Sequence, residues 1–377
     1  MENKLINKNS SISLSFIGEV MLGREVGEFY KKNNTEIVDK LIKDKLSESD
    51  LVLANLEAPV AGNLKDEDDI MTFIAKPETL KEVDFVDFFS LANNHINDAG
   101  TKGIDESIKH LEKNKFKWNG FYEKAYEPIL FEKNDVKCAI ICCTDVLNIE
   151  IDDERYKRKL LWLDDKTIND VITDFKNKGY FVVLYVHGGI MFSRYPNPLF
   201  RSILHSKIDL GVDLVVSVHP HVIGCEETYK GKNIFYSLGD FVMDGHSERR
   251  RSSMVLNLKL KNDFSYTYEL VPTYINNELK TILANGKKKD KLLKSWNRVS
   301  QKLAKNKNNY DSFYKKKFKI EILLHVISTI KYQIKEKSIL DFIKIIFKRA
   351  KDFKNMGRWM MKDTSKMRNN LEDKTML

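Results

Sequence analysis

Apolar runs of strand length alternate along the N-terminal part of the chain with longer segments in which apolar residues recur at helical spacing. We predict strands at residues 11–17, 51–55, 86–92, 136–143, 180–187 and 213–218, and helices at residues 35–48, 102–115, 164–178 and 198–211. This alternation is typical of an α/β fold. Polar clusters follow several of the predicted strands, and open α/β sheets bind ligands beyond the carboxyl ends of their strands, so we expect these clusters to share one site.

The pattern changes after residue 219. Residues 222–228 and 234–237 predict a β-hairpin around the turn Lys-Gly-Lys-Asn, and residues 253–260 and 265–272 predict two further strands. These strands indicate a second sheet, or the second half of a sandwich.

Glycine and proline almost vanish from residue 280 onward. Residues 321–334 and 339–353 carry Ile, Leu and Phe at helical spacing with Lys between them. The second segment follows Ser338, a candidate N-cap, and is predicted to have one apolar and one basic side. We therefore predict two units, a domain at residues 1–279 and a helical extension at residues 280–377.

The two predicted units have opposite charge. The whole chain carries a net charge of +9, which divides into −9 for residues 1–279 and +18 for residues 280–377. This asymmetry suggests that the extension contacts something anionic: a lipid surface, nucleic acid, an acidic polymer or the acidic domain itself. The extension has no recognised nucleic-acid-binding motif. Its interleaved apolar residues favour packing on the domain or binding to an anionic membrane surface, and both alternatives stay open.

Composition narrows the class of protein. A hydrophobic fraction of 42% and a charged fraction of 31% are ordinary for a folded globular protein. No run reaches the about 18 apolar residues of a membrane-spanning helix, and no apolar run of signal-peptide length opens the chain. Cys138, Cys142, Cys143 and Cys225 show neither a disulfide framework nor a zinc-binding spacing, so we expect reduced core cysteines. These features predict a cytoplasmic protein, peripheral to the inner face of the membrane if the extension binds lipid.

Histidines provide the strongest candidate chemistry. A predicted strand runs directly into His219 and His221, and residues two apart in an extended segment point the same way, so both imidazoles could reach one metal cluster. The alternative is a pair of solvated loop histidines. His187 ends another predicted strand and is either a further ligand or a satisfied core histidine.

The string SLANNHINDAG follows the strand predicted at residues 86–92. Asn94 could offer a neutral oxygen to a divalent cation, and His95 could donate a proton or stabilise a phosphoryl oxygen. Asp98 could orient the His95 imidazole. The alternative is an Asn-rich turn that caps the following helix.

Two carboxylates also follow predicted strands. Glu19 and Glu57 could bridge two cations, and Arg24 is a candidate fork for phosphate or carboxylate. Taken singly, each carboxylate is better explained as an ordinary loop acid. The ordered set of two acids, Asn-His, His and His-x-His, each after a strand, favours a shared metal site.

This order resembles that of the calcineurin-like metallophosphoesterase superfamily. The strings that carry the resemblance are similar to its CapA branch, the capsule and poly-gamma-glutamate synthesis proteins: SFIGEVMLGR, LANLEAPV, SLANNHINDAG, VHGGIMFSRYPNP and VDLVVSVHPHVIGCEETYKGKNIFYSLGDF. The resemblance covers roughly residues 12–245, and LANNH and HPH are its specific strings.

The resemblance implies a layered α-β-β-α sandwich of two mixed sheets and a site with two divalent metal ions. The ligands that it implies are Glu19, Glu57, Asn94, His187, His219 and His221. Glu57 would bridge the two ions, and His95 would be the catalytic acid. Oxygen and imidazole ligands together suit Mn, Fe or Zn.

Three positions depart from the family pattern, which usually has Asp at Glu19, Glu at Met191 and often Asn at Asp240. Glu19 can still coordinate, whereas Met191 removes a carboxylate that could serve as a ligand or base. Two functions therefore stay open. One is a metal-dependent phosphoesterase-type hydrolase whose substrate is a phosphoester or an anionic polymer of capsule synthesis. The other is a non-catalytic metal-binding accessory protein of polymer assembly.

Overall fold

The computed structural model describes residues 10–33, 36–62, 72–152 and 156–336. The strands are β1 (Ser11–Val20), β2 (Leu51–Leu56), β3 (Phe88–Ser90), β4 (Lys117–Asn119), β5 (Phe121–Tyr122), β6 (Ile129–Lys133), β7 (Val136–Thr144), β8 (Lys159–Leu160), β9 (Phe181–His187), β10 (Leu214–Val218), β11 (Glu226–Tyr229), β12 (Lys232–Phe235), β13 (Asp240–Val242), β14 (Ser252–Lys261), β15 (Tyr266–Ile275) and β16 (Thr281–Leu283). The α-helices are α1 (Arg24–Asn33), α2 (Lys40–Ser47), α3 (Gly100–Lys113), α4 (Lys166–Asn177), α5 (Pro198–Leu210), α6 (Gly286–Lys305) and α7 (Tyr310–Glu336). Short 3₁₀ helices lie at Pro77–Val83 and Lys307–Asn309.

The first sheet has the strand order β16-β15-β14-β1-β2-β3-β4, and β13 pairs with the end of β1. The strands β1 to β4 are parallel, and β14, β15 and β16 join them in antiparallel fashion. β2 is buried along its whole length, as expected for a strand covered on both faces. The parallel arrangement brings the carboxyl ends of β1, β2 and β3 to one edge.

The second sheet has the order β11-β12-β10-β9-β7-β6, with β5 and β8 forming a separate pair. Its central strands β7, β9, β10 and β12 are parallel, and β6 and β11 are antiparallel edge strands. The predicted hairpin is confirmed as β11 and β12, although its first strand begins four residues later than predicted. Lys230 and Gly231 turn the chain with φ of 47° and 77°, the left-handed conformation of a two-residue hairpin turn.

Apolar clusters separate the layers. The cluster between the two sheets includes Phe16 of β1 and Tyr185 of β9. The outer face of the first sheet packs on α1, α2 and α3, for example through Ile42 and Leu111. The outer face of the second sheet packs on α4 and α5 through residues such as Leu204. This arrangement confirms the predicted α-β-β-α sandwich of two mixed sheets.

The described part of the basic extension, residues 280–336, packs into this sandwich. β16 is part of the first sheet, Trp296 of α6 is buried in the cluster between the sheets, and Tyr310 and Tyr314 of α7 belong to the cluster outside the second sheet. The division into units at 1–279 and 280–377 stays a prediction from charge, and the packing crosses it. The helix predicted at residues 339–353 lies outside the described residues.

The cysteines are core residues, as predicted. Cys138, Cys142, Cys143 and Cys225 are all free and buried. Burial raises the pKa of the Cys142 thiol to about 12, which keeps it protonated. Among the described helices, none has the length and apolarity needed to cross a membrane.

Candidate metal centre

The predicted metal ligands meet at the carboxyl ends of strands from both sheets. Glu19 lies near the end of β1, Glu57 directly follows β2, His187 is the last residue of β9, and His219 directly follows β10. The two sheets face each other, so strand ends that are far apart in sequence converge. The structure thus brings together side chains that the sequence placed at separate strand ends.

Glu57, His187 and His219 form the centre of this cluster. One ligand atom from each residue lies within 4.8 Å of the others, and all three side chains are buried. His219 Nδ1 is 3.0 Å from His187 Nε2, and His187 Nε2 is 4.0 Å from Glu57 Oε1. A carboxylate and two imidazoles at this spacing match the ligand chemistry of a zinc-type site.

Glu19 and Asn94 flank His187 on its two ring nitrogens. Glu19 Oε1 is 3.2 Å from His187 Nδ1, and Asn94 Oδ1 is 2.9 Å from His187 Nε2. The Asn94 amide nitrogen also donates to Asn148 Oδ1 at 3.2 Å. Both predicted ligands therefore lie at the centre.

Asn55 is a member of the cluster that the sequence analysis missed. Its amide nitrogen donates to Glu19 Oε2 and lies 3.3 Å from His187 Nδ1. Asn55 lies on β2, two residues before Glu57, so the alternation of side chains along a strand was a signal that could have found it. Asn148 lies in a loop and carried no comparable signal.

His221 reaches the centre from the other side. Its Nε2 is 3.5 Å from Glu57 Oε1, and its Nδ1 is 2.8 Å from Asp240 Oδ1. A carboxylate on the second ring nitrogen is the usual way to fix the orientation of a metal-binding imidazole. The backbone here has φ of 103° at His219 and 55° at His221, the left-handed region that non-glycine residues adopt at a cost.

A close approach of two backbones places Asp240 beside the centre. A Cβ atom at Gly18 would lie 1.9 Å from the carbonyl oxygen of Gly239, so only glycine fits between β1 and the segment that leads into β13. In this register Glu19 is paired with Asp240. Asp240 Oδ2 in turn lies 3.5 Å from Nε of Arg250, a cation that the sequence analysis did not identify.

His95 and Asp98 form a pair next to the metal ligands. His95 Nδ1 is 2.6 Å from Asp98 Oδ2, which also accepts a hydrogen bond from the Phe73 backbone N–H at 2.8 Å. The Phe73 ring stacks on the His95 ring with 3.7 Å between centroids, and His95 is only 4% exposed. The structure thus places Asp98 where it can orient the imidazole.

Arg24 lies at the edge of this group rather than among the ligands. Its Nε is 3.0 Å from Asp244 Oδ2, and its guanidinium lies 4.9 Å from the centre of the Phe73 ring. Arg24 is thereby connected to His95 through Phe73. Neither Phe73 nor Asp244 was identified from the sequence.

The centre has buried polar atoms without hydrogen-bond partners among the described residues, which is the feature that a cation would satisfy. Both carboxylate oxygens of Glu57, Oε1 of Glu19 and Nε2 of His219 are buried and accept or donate no hydrogen bond among the described residues. Such atoms are costly in a folded protein unless an ion or water contacts them. The donor set of carboxylate and imidazole fits a divalent transition metal.

Burial also perturbs the protonation of these side chains. It raises the pKa of Glu57 well above its usual value, assisted by the charges of Glu19 and Asp240, and raises the pKa of Glu19 to about 8. Burial lowers the pKa of His187 and His219, so both imidazoles are neutral and able to coordinate. A bound cation would favour the ionised carboxylates and the neutral imidazoles together.

Helix α7 covers one side of the centre. The ring of His325 stacks on Phe192 with 3.8 Å between centroids, and the Phe192 ring lies 6.3 Å from that of His221 and 5.8 Å from the Arg250 guanidinium. Glu321, also on α7, pairs with Arg249. The C-terminal extension therefore contributes side chains close to the site, which its basic composition did not reveal.

Fold and site together define a layered α/β protein with a buried centre of carboxylates and imidazoles. The sequence profile described as "Bacterial capsule synthesis protein PGA_cap" matches residues 13–245. The chain belongs to this family, the CapA family of capsule synthesis proteins.

Two relatives extend the match beyond the profile. The chain is 29% identical over 340 residues to the "Capsule biosynthesis protein CapA" of Bacillus anthracis, with 86% of this chain and 81% of the relative covered. It is 29% identical over 273 residues to the "PGA biosynthesis protein CapA" of Bacillus subtilis (strain 168), with 70% of this chain and 72% of the relative covered. A crystal structure of a hypothetical protein from Thermus thermophilus covers 69% of this chain and 99% of its own, with 12% identity and a TM-score of 0.41.

Proposed function

We propose that the protein is a metal-dependent hydrolase of the phosphoesterase type, which acts in the biosynthesis of a capsule or a similar anionic polymer. The observation that carries this proposal is the buried cluster of Glu57, His187 and His219 beside the His95 and Asp98 pair. Both Glu57 oxygens lack a hydrogen-bond partner among the described residues. The names of the two relatives, which refer to capsule and PGA biosynthesis, support the choice of pathway.

The centre would hold two divalent ions, with Mn, Fe and Zn as the candidates. Glu57, His187 and His219 would hold one ion. The remaining ligands would come from Glu19, Asn94 and His221. Bound metal at such a site supplies a nucleophilic water at neutral pH and neutralises the negative charge that builds up on a phosphoryl group.

The residues of the chain perform the other parts of the task. Asp98 accepts from Nδ1 of His95, which leaves Nε2 of that ring to hold the proton for the leaving group. Asp240 orients His221 in the same way. The Arg24 guanidinium pairs with Asp244 through Nε and lies beside Phe73, and its other N–H groups would attract an anionic substrate toward this edge of the site.

One observation favours a second candidate function, a metal-binding accessory protein of polymer assembly without turnover. His95 is nearly buried beneath the Phe73 ring, so a substrate would need that ring to move before it reached the imidazole. Met191 also stands where the CapA pattern has a carboxylate. In this alternative, the metal binds an anionic chain or stabilises the fold.

Metal content measured beside hydrolysis tests both candidates. Purified protein would be analysed for bound metal and assayed with bis-(p-nitrophenyl) phosphate and with poly-gamma-glutamate after loading with Mn, Fe or Zn. We expect His219→Ala and His187→Ala each to lower bound metal to well under half, because each change removes an imidazole from the centre. His110→Ala, on α3 and outside the cluster, is the matched control.

The outcomes separate the two functions. Metal that is lost in both variants together with hydrolysis supports the enzyme, and metal binding without hydrolysis of either substrate supports the accessory protein. Unchanged metal content in both His variants would remove the proposed centre itself.

A further inference from the structure

Helix α7 presents two opposite faces. Its inner face contacts the body of the protein through Tyr314, Glu321, His325 and Tyr332. The other face is an outer stripe of aliphatic side chains, which are 38% to 58% exposed: Ile320, Leu323, Leu324, Ile327 and Ile330. At 3.6 residues per turn, the inner positions and the outer stripe point to opposite sides of one helix.

This outer stripe is an unusual surface. Scattered exposed apolar residues need no explanation, but five on one face form a continuous patch, which is typical of an interaction site. The inner face is already occupied, since Glu321 pairs with Arg249, and Arg251 donates to the Tyr332 hydroxyl. The stripe is therefore not needed to hold α7 on the protein.

Basic side chains surround the outer stripe. Lys316, Lys319 and Lys331 are exposed and adjoin it along the helix. Residues 312–332 contain one acidic residue, Glu321, which is 7% exposed and turned inward. An apolar face with a basic border and no acid on its side is the pattern of a helix that lies on an anionic lipid surface.

Charge also distinguishes three candidates that could cover the outer stripe: residues 337–377 of the same chain, a second copy of the chain, and a lipid bilayer. Residues 337–377 of the chain carry 11 Lys and Arg against 5 Asp and Glu, so they have the same sign of charge as the border of the stripe. A second copy of the chain that met the stripe with its own stripe would likewise place lysines against lysines. An anionic bilayer is complementary in both respects, because it offers negative headgroups to the lysines and an apolar interior to the stripe.

We propose that the outer stripe of α7 with its lysine border is a docking surface for an anionic lipid bilayer. The helix lies in the plane of the interface, with the inner face and its contacts to Arg249 and Arg251 unchanged. The surface is separate from the metal centre, so the proposal holds whether or not the centre is catalytic.

Vesicle flotation of the full chain tests the proposal. Removal of residues 280–377 is not a usable variant, because it would take Trp296, Tyr310 and Tyr314 out of the core. Vesicles of equal parts phosphatidylglycerol and phosphatidylcholine would be compared with phosphatidylcholine alone, at low and high salt. We expect binding to the anionic vesicles only, and weaker binding as salt screens the lysines.

Two sets of substitutions address the two parts of the surface. The triple change Leu323→Gln, Leu324→Gln and Ile327→Gln should weaken binding about a hundredfold, since each half-exposed aliphatic side chain that enters the bilayer contributes about fivefold. The triple change Lys316→Gln, Lys319→Gln and Lys331→Gln should weaken it by a similar factor of about a hundred, at about fivefold for each lysine.

Leu41→Gln with Leu130→Gln is the matched control, because both residues are exposed aliphatic side chains on other elements. The control should bind as the wild type does. Bound metal and thermal stability should be the same in every variant, because α7 keeps its inner contacts.

Several results would overturn the proposal. They are a wild-type chain that does not float with anionic vesicles, a stripe variant that floats as well as the wild type, and a control that loses as much binding as the stripe variant. A wild-type dimer that the stripe variant converts to a monomer, without any vesicle binding, would assign the stripe to a second copy. The stripe variant could also lose thermal stability while the wild type does not bind vesicles. That result would assign the stripe as the packing surface of residues 337–377 and would contradict the proposal.

Discussion

The protonation of the buried carboxylates predicts how the metal-free protein responds to pH. Burial raises the pKa of Glu19 from 4.5 to about 8, so the folded chain holds this proton more tightly than the unfolded chain does. Stability that arises from a raised pKa is present at low pH and is lost as pH rises from the unfolded to the folded value. Glu19 by itself should therefore make the metal-free protein less stable as pH rises between 4.5 and about 8.

The protonation of two histidines limits the pH range in which the effect of Glu19 on stability can be measured. The pKa values of His187 and His219 lie well below 6.5, so these residues bind protons in the unfolded chain only, and they add stability as pH rises toward 6.5. The unfolded imidazoles are half protonated at pH 6.5 and lose their remaining protons within about one pH unit above it. Because this contribution is the same in the wild type and in Glu19→Gln, the difference between the two proteins from pH 6.5 to 8 isolates Glu19.

The expected loss in the free energy of unfolding follows from the one proton that Glu19 holds in the folded chain and not in the unfolded chain. Each pH unit is worth about 1.4 kcal/mol per proton, so Glu19 alone should lower the free energy of unfolding by about 2 kcal/mol between pH 6.5 and 8. Glu57, whose pKa is also raised by burial, adds to the loss. Bound metal should reverse the slope, because a cation binds the ionised carboxylates and releases their protons.

Urea unfolding of chelator-treated protein at pH 6.5, 7.2 and 8, at constant ionic strength, measures this slope. The same series with added Mn or Zn gives the comparison, and Glu19→Gln is the matched variant, because its amide has no proton to lose in this range. Glu19→Gln should lose about 2 kcal/mol less than the wild type over the window. Equal stability of the metal-free wild type at pH 6.5 and 8, or an equal loss in Glu19→Gln, would refute the argument.

Three further changes test separate parts of the structure. Asp240→Ala should weaken metal binding by about 10- to 100-fold, because the ring of His221 loses the carboxylate that orients it. Asp240→Asn keeps an acceptor oxygen and should retain the metal. Equal metal affinity of the two variants, measured by calorimetry, would contradict this role of Asp240. If the protein is a hydrolase, His95→Ala should keep its metal and lose about 10²- to 10⁴-fold in kcat, and a parallel loss of metal would make His95 a ligand instead. Trp296→Ala should destabilise the whole protein by about 3–5 kcal/mol in a single unfolding transition, because the ring is buried between the sheets. A separate unfolding transition for the extension would show that the extension folds independently.

The sequence predicted the parts of the site that local pattern determines. His187, His219, Glu19 and Glu57 end or follow apolar strands, and parallel strands bring their carboxyl ends to one edge, so their convergence could be predicted before any contact was known. The α/β alternation was predicted from the same local pattern. The α-β-β-α layering, which is confirmed, was implied by the family resemblance and not by that pattern. Their roles as ligands stay predictions until metal is measured.

The missed residues depend on contacts between distant parts of the chain. Arg250 meets Asp240 because the segment between β13 and β14 turns back toward β13. His325 reaches Phe192 because α7 folds back across the second sheet. Phe73 covers His95 from a loop without a motif. No local spacing encodes such contacts. Short strands such as β13 and β16 were missed because three residues are too few to show an alternation.

The change in net charge at residue 280 reflects the side chains on the surface and does not show which residues pack together. The lysines of α6 and α7 lie mainly on exposed faces, while Trp296, Leu303 and Tyr314 of the same helices are buried. A net charge is summed over the surface, whereas a domain boundary is set by the few apolar residues that cross it. Charge and packing therefore give separate information on residues 280–336, and the division into two units stays a prediction.

Helix α7 covers one side of the metal centre and carries the outer stripe that we propose to bind lipid. Its inner face holds Arg249 and Arg251, on either side of the Arg250 that approaches Asp240 and the metal centre, and its outer stripe faces away. An α-helix with its side chains is about 10–12 Å across. If the outer stripe docks on lipid, the segment that carries Arg250 would lie about that distance above the headgroups. A substrate held at or near the membrane, such as a growing anionic polymer, could then reach the centre without leaving the surface, whereas a small diffusing phosphoester would gain nothing from docking. Hydrolysis of a vesicle-tethered substrate should thus depend on the outer stripe, and hydrolysis of bis-(p-nitrophenyl) phosphate should not.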